Sequence, residues 1–139
     1  MFSGEYSHAL DAKNRLMLPA KLRKELGDEL MLSKNVDKCL SLYPRATWDA
    51  FCEKLDAMPS IESRAAKRFL IASAFETPVD NQGRILLPAK LCQYAGMGKE
   101  ITVIGVGDHV ELWDSAAWEA ENAAQNGEDI AQLLMKLGF

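Results

Sequence analysis

Two aspartate–arginine pairs at the same four-residue spacing are the side chains of this sequence best placed to do chemistry: Asp11 with Arg15, and Asp80 with Arg84. Each belongs to a longer echo. Asp11 to Leu22 reads D-A-K-N-R-L-M-L-P-A-K-L, and 69 positions later Asp80 to Leu91 reads D-N-Q-G-R-I-L-L-P-A-K-L. A carboxylate four residues ahead of a guanidinium can accept the amides of a tight turn and pair with the arginine, stiffening the turn. The arginine can instead project outward, because its planar fork of donors matches a phosphate or the edge of a guanine. Both roles are open at this point, and they combine if the aspartate organises the turn and orients the arginine. Asn14 and Gly83 share the slot before each arginine. Both residue types accept positive φ, so a left-handed turn position is expected there.

The other reactive residues do not assemble into a catalytic set. His8 and His109 lie in different halves and do not recur at matched positions, and no glycine-rich phosphate loop, G-x-S-x-G or H-E-x-x-H is present. Cys39, Cys52 and Cys92 form no C-x-x-C pair and leave an odd count, which points to reduced thiols rather than disulfides or a metal site. The expectation is a protein with no catalytic activity, no metal, no cofactor and no small-molecule substrate. Trp48 and Trp118 hold equivalent places in the two halves and read as packing anchors rather than as platforms for stacked bases.

The elements that must position the paired residues follow from periodicity. Tyr6–Leu10 and Arg15–Leu18 read as a strand, a turn over Asp11–Asn14 and a returning strand; Glu76–Val79, Asp80–Gly83 and Arg84–Leu87 repeat the layout. Pro19 and Pro88 then open short helices ended by Gly27 and Gly96. Paired strands follow at Glu29–Ser33 with Cys39–Tyr43, and at Glu100–Ile104 with Val110–Trp113. A long helix carrying Trp48, Phe51, Leu55 and Met58 stops at Pro59, Ser60 caps another carrying Phe69, and the second half has only a short counterpart. A weak amphipathic turn over Ile130, Leu133, Leu134 and Leu137 ends a tail that is expected to fray. The divisions are a first repeat over 5–47, a connecting helical pair over 48–75, a second repeat over 76–119 and a tail over 120–139.

Length and composition suit one compact domain: 139 residues, 48% hydrophobic and 26% charged. No apolar run approaches the roughly 20 residues that cross a bilayer, and the N-terminus carries no basic-then-apolar signal, so a cytosolic protein is expected. The net charge of −4 hides a gradient, with residues 1–24 at +3 and residues 108–139 at −6. One end suits an anion that the other repels. Aromatic and aliphatic residues on more than one helix face, from Trp48 to Phe75, call for burial that a neighbouring subunit would supply.

Further motifs carry a family resemblance. The opening Met1-Phe2-Ser3-Gly4-Glu5-Tyr6, the two D-x-x-x-R turns followed by L-P-A-K-L, Leu42-Tyr43-Pro44 and Glu111-Leu112-Trp113-Asp114 resemble the MraZ family of AbrB-like transcriptional regulators, over nearly the whole chain and more weakly after about residue 120. The resemblance implies an α+β fold, a double-split β-barrel made of two internally repeated halves with helices packed outside. It further implies a non-enzymatic, nucleoid-associated regulator that binds double-stranded DNA. Such a protein would form ring-shaped homo-oligomers on tandem G-rich boxes upstream of its own operon, the division and cell-wall gene cluster, as a repressor. The family's D-x-x-x-R pattern falls on Asp11 with Arg15 and on Asp80 with Arg84, so Arg15 and Arg84 would read the DNA. The sequence itself adds Lys13, Asn14, Lys21 and Arg23 as further expected contacts, with Asp11, Asp80 and Gly83 organising the turns. Asn14 departs from the glycine usual at that slot but keeps its tolerance of positive φ. An antitoxin-like protein-binding module of the same barrel superfamily is the alternative, although that class has one repeat and a long tail. A ring-forming scaffold that never touches DNA is a third.

Overall fold

In a computed structural model that describes residues 1–139, the chain is α+β, with eight strands and six helices. The first half runs β1 (Glu5–Ala9), β2 (Arg15–Met17), α1 (Ala20–Leu26), β3 (Glu29–Lys34), β4 (Leu40–Pro44) and α2 (Arg45–Asp56). After α3 (Ser60–Leu70) the order repeats as β5 (Phe75–Pro78), β6 (Arg84–Leu86), α4 (Ala89–Tyr94), β7 (Glu100–Gly105), β8 (Val110–Asp114) and α5 (Ser115–Ala124), and α6 (Gly127–Lys136) follows.

Six strands form one antiparallel sheet in the order β1-β7-β8-β4-β3-β5, while β2 and β6 form a separate two-stranded ribbon. Exchanging the halves maps each sheet onto itself. The pseudo-twofold axis passes between β4 and β8 at Ser41 and Glu111, and between β2 and β6 at Leu16 and Ile85.

The strand–turn–strand units expected within each half therefore differ in their pairing. The turns are present, but β1 pairs with β7 of the other half and β5 with β3, while β2 pairs with β6. The reason lies in the length of β2. Three residues present one inward side chain, and that residue, Leu16, finds its cross-strand neighbour in Ile85 rather than in β1.

The core is built from equivalent positions in the two halves: Leu16 with Ile85, Leu18 with Leu87, Leu22 with Leu91, Leu32 with Val103 and Leu42 with Leu112, all essentially solvent-free. Trp48 and Leu55 are buried, Phe51, Phe69 and Phe75 are half-buried, and Ile71 is exposed.

Four helical expectations need correction. Pro19 and Pro88 precede their helices in extended conformation as caps rather than opening them. Pro59 likewise caps α3, and the Ser60 hydroxyl makes no capping bond. α5 is nearly as long as α2, with 10 residues against 12. The tail is a helix, because the Asn126 side chain accepts from the amides of Glu128 and Asp129 (3.1 and 3.3 Å) and both acids favour the positive end of the helix. Every residue of that helix is exposed.

Candidate nucleic-acid interface

Each D-x-x-x-R turn closes by the same set of bonds. In the first, Asp11 Oδ1 accepts from the backbone amides of Lys13 and Arg15, both at 2.9 Å, and Oδ2 accepts from Arg15 Nε at 2.7 Å. In the second, Asp80 Oδ1 accepts from Gln82 and Arg84 at 2.9 Å, and Oδ2 from Arg84 Nε at 2.9 Å. The amides of Asn14 and Gly83 donate to the carbonyls of Asp11 and Asp80, and these two residues take φ of 57° and 81°. The expected left-handed slot is present in both turns.

The Arg15 backbone amide, followed by its side chain, holds the Asp11 carboxyl below the usual carboxylate range against the opposing effect of desolvation. Arg84 does the same for Asp80. Each aspartate thus fixes its turn and engages its arginine through Nε. No bond ties either terminal Nη to the turn's own aspartate, which leaves the outer edge of the fork for another acceptor.

The ribbon joins the two turns into one surface. Arg15 lies opposite Leu86 and Met17 opposite Arg84, while Leu16 and Ile85 point into the core. The outer face therefore carries two arginines on one diagonal and two part-exposed apolar side chains, Met17 and Leu86, on the other. Arg84 Nη1 also approaches Asp11 Oδ2 at 3.8 Å, linking the second arginine to the first turn. Leu18 N donates to Gly83 O and Leu87 N to Asn14 O, so each half steadies the other's turn. Met17 and Leu86 were missing from the sequence expectation, yet the period-two pattern of R-L-M-L and R-I-L-L already places them beside the arginines.

The remaining expected residues are spread around this ribbon. Lys13 is exposed at the tip of the first turn and Lys21 is exposed on α1. Arg23 is half-buried against Gly83 of the second turn, and its Nε has no acceptor. His8 sits on β1 opposite Ile101 and is not part of the ribbon pairing. His109 belongs to another cluster, where Nδ1 meets Asp108 at 2.7 Å, Nε2 meets Glu111 at 3.3 Å and the ring stacks on Tyr43 at 5.0 Å. Burial pushes the Cys39 thiol far above its ordinary range. No three His, Cys, Asp or Glu side chains converge as a metal site would require, and no helix is long and apolar enough to cross a membrane.

The sequence family described as "MraZ protein, putative antitoxin-like" matches this chain twice, over residues 1–69 and 70–132. The chain belongs to the MraZ family. Its two D-x-x-x-R turns fall one in each matched segment. Among the relatives, the transcriptional regulator MraZ of Heliobacterium modesticaldum is 43% identical over 97% of both chains. That of Clostridium tetani is 42% identical over the full length of both. That of Symbiobacterium thermophilum is 44% identical over 98% of this chain and 99% of its own. The MraZ likeness thus spans both halves.

Proposed function

We propose that this protein is a sequence-specific, DNA-binding transcriptional regulator without catalytic activity. One observation carries the reading: two turns closed by matching bonds present their arginines on the outer face of a single antiparallel ribbon. A two-stranded ribbon is an element that the major groove admits, and an arginine fork matches the O6 and N7 of guanine. The names of the relatives add independent support. In this reading Arg15 and Arg84 contact bases, Asn14 lies close to the backbone, Lys13, Lys21 and Arg23 contact phosphates, and Asp11, Asp80 and Gly83 hold the turns.

The finer picture rests on the family resemblance. The ribbon and the six-stranded sheet are read together as a double-split barrel, its division at 5–47, 48–75, 76–119 and 120–139 following the repeat. The protein is a cytoplasmic, nucleoid-associated ring that represses the division and cell-wall cluster from tandem G-rich boxes ahead of its own operon. A ring suits a chain of net charge −4, because it would set several small basic turns on one rim while the acidic C-terminal segments face elsewhere.

Mobility-shift titration with Arg15→Ala and Arg84→Ala, beside thermal melts, tests the reading. Each substitution should cost about 1–3 kcal/mol of discrimination against the wrong base while the fold persists. Normal DNA binding by a variant that melts early would assign the arginines to turn stability alone. The protein-binding alternative draws on the exposed apolar residues of α6, including Leu133 at 60% and Met135 at 71% exposure. Deleting residues 126–139 should leave DNA affinity per subunit unchanged under the main reading.

A further inference from the structure

The cleft bounded by α3, α4 and β3 has no part in the ribbon. It is an open concavity of about 740 Å3, and Lys34, Arg68 and Lys90 line it without any aspartate or glutamate. The ion pairs of this chain engage other arginines and lysines, so these three cations have no carboxylate partner. In a chain of net charge −4, three uncompensated positive charges around one concavity create a local field that draws in an anion.

The arrangement is also pre-organised. Lys34 Nζ stands 5.1 Å from the Tyr94 ring centre and 5.5 Å from that of Phe69, and these rings meet edge to face at 5.9 Å. The Tyr94 hydroxyl donates to the Asn35 carbonyl at 2.8 Å, which fixes the platform. Aromatic faces hold the ammonium without using its N–H donors. Of the cluster only Lys90 is repeated, as Lys21; the positions equivalent to Lys34 and Tyr94 in the other half are Gly105 and Glu25, so the full set occurs once.

We propose that this cleft binds a small, multiply charged phosphate compound of about nucleoside diphosphate size. The three cations take the phosphates, and the apolar part of the wall, including Phe75 and Leu91, takes an uncharged moiety. The volume lies within the roughly 300–1,000 Å3 of small-ligand sites. Neither Arg15, Arg84 nor Lys13 lines the cleft.

Calorimetric titration of the full chain with pyrophosphate and with adenosine diphosphate tests the site without reference to DNA. The expected result is saturation at one equivalent per chain, weakened by salt. Lys90→Gln and Arg68→Gln, whose side chains are exposed and whose melts should be unchanged, should each weaken binding about tenfold through loss of a charged hydrogen bond. Tighter binding of the diphosphate nucleoside than of pyrophosphate supports the apolar subsite. Absence of saturable heat, or binding unaffected by either substitution, overturns the proposal. So does a case in which the substitutions spare pyrophosphate but weaken duplex DNA or dissociate an oligomer, since the cations would then serve the duplex or a second copy.

Discussion

The Arg23 guanidinium occupies the space where a side chain on Gly83 would begin: a β-carbon there would come within 2.6 Å of Arg23 Cζ and closer still to Nη1. The first turn solves the same problem differently. It has Asn14 at the glycine slot and Cys92, a smaller residue, where Arg23 stands in the repeat. Arginine packs against the glycine of the second turn, whereas Asn14 and Cys92 both border a shallow concavity beside the first. The charges follow suit, since the first turn carries Lys13 where the second has Gln82.

Gly83→Asn should displace the Arg23 guanidinium, the far end of a flexible side chain, and cost about 1 kcal/mol or less. Combining it with Arg23→Cys should recover most of that loss, because the pair then copies the first turn. Urea titration of the two single variants and the double variant forms a cycle whose expected coupling is about 0.5 kcal/mol. Strict additivity would show that the two residues do not share the space.

Acid should weaken both turns. Asp11 and Asp80 titrate below 3.8 when folded, so their bonds contribute fully above that value and are lost as pH falls through the lowered folded values. In thermal melts from about pH 5 down to 2.5, Asp80→Asn should show a smaller fall in Tm than the parent. Parallel curves for the two proteins would remove this carboxylate from acid unfolding.

Base should weaken the connection between β7 and β8, where His109 stands. Glu111, ahead of Asp108, raises His109 above 6.5 by accepting from its ring, against the cost of burial. The contribution is complete below 6.5 and fades as pH rises through the raised folded value. Between about pH 6 and 9, the parent should lose stability that His109→Gln never had. A parent curve as flat as the variant's would mean that the imidazole is not protonated in the folded chain.

Leu16 and Ile85 meet at the pseudo-twofold axis. Leu16→Ala should cost about 2–5 kcal/mol and should lower one cooperative transition rather than split it, because the core crosses between the halves. Calorimetry showing two separate transitions would contradict a shared core.

A DNA duplex with one G-rich box should bind far more weakly than one with several in direct repeat, by up to about 10²–10⁴ in avidity. Respacing by half a helical turn should remove most of the gain, since the second box rotates away. Fluorescence anisotropy at fixed salt reads all three duplexes, and equal affinities would mean that subunits bind independently.

The sequence makes the turns legible because their chemistry is local. Asp11, Asn14 and Arg15 lie within five residues, so spacing alone anticipates the bonds among them. Strand partners are not local. Tyr6 and Val103 pair across 97 positions, and alternation marks each as strand without naming the other. The placement of Arg23 was hidden for the same reason, since it rests on a turn 60 residues away. The final helix is less legible, because Ile130, Leu133, Leu134 and Leu137 suggest packing that the fold does not provide, while the helix starts from a single side-chain cap at Asn126.

Strand exchange between the halves has a consequence for how the chain is made. β1 forms its ladder only with residues 100–104, so the first half leaves the ribosome without the partner of its opening strand. It must wait, with Leu16 lacking Ile85 and an unpaired edge exposed, until most of the chain has emerged. Long-range closure of this kind slows folding and lengthens exposure to aggregation. Synthesis interrupted after residue 75 should release a chain with local helix but no stable sheet, vulnerable to proteases, whereas interruption after residue 125 should release one that is already resistant.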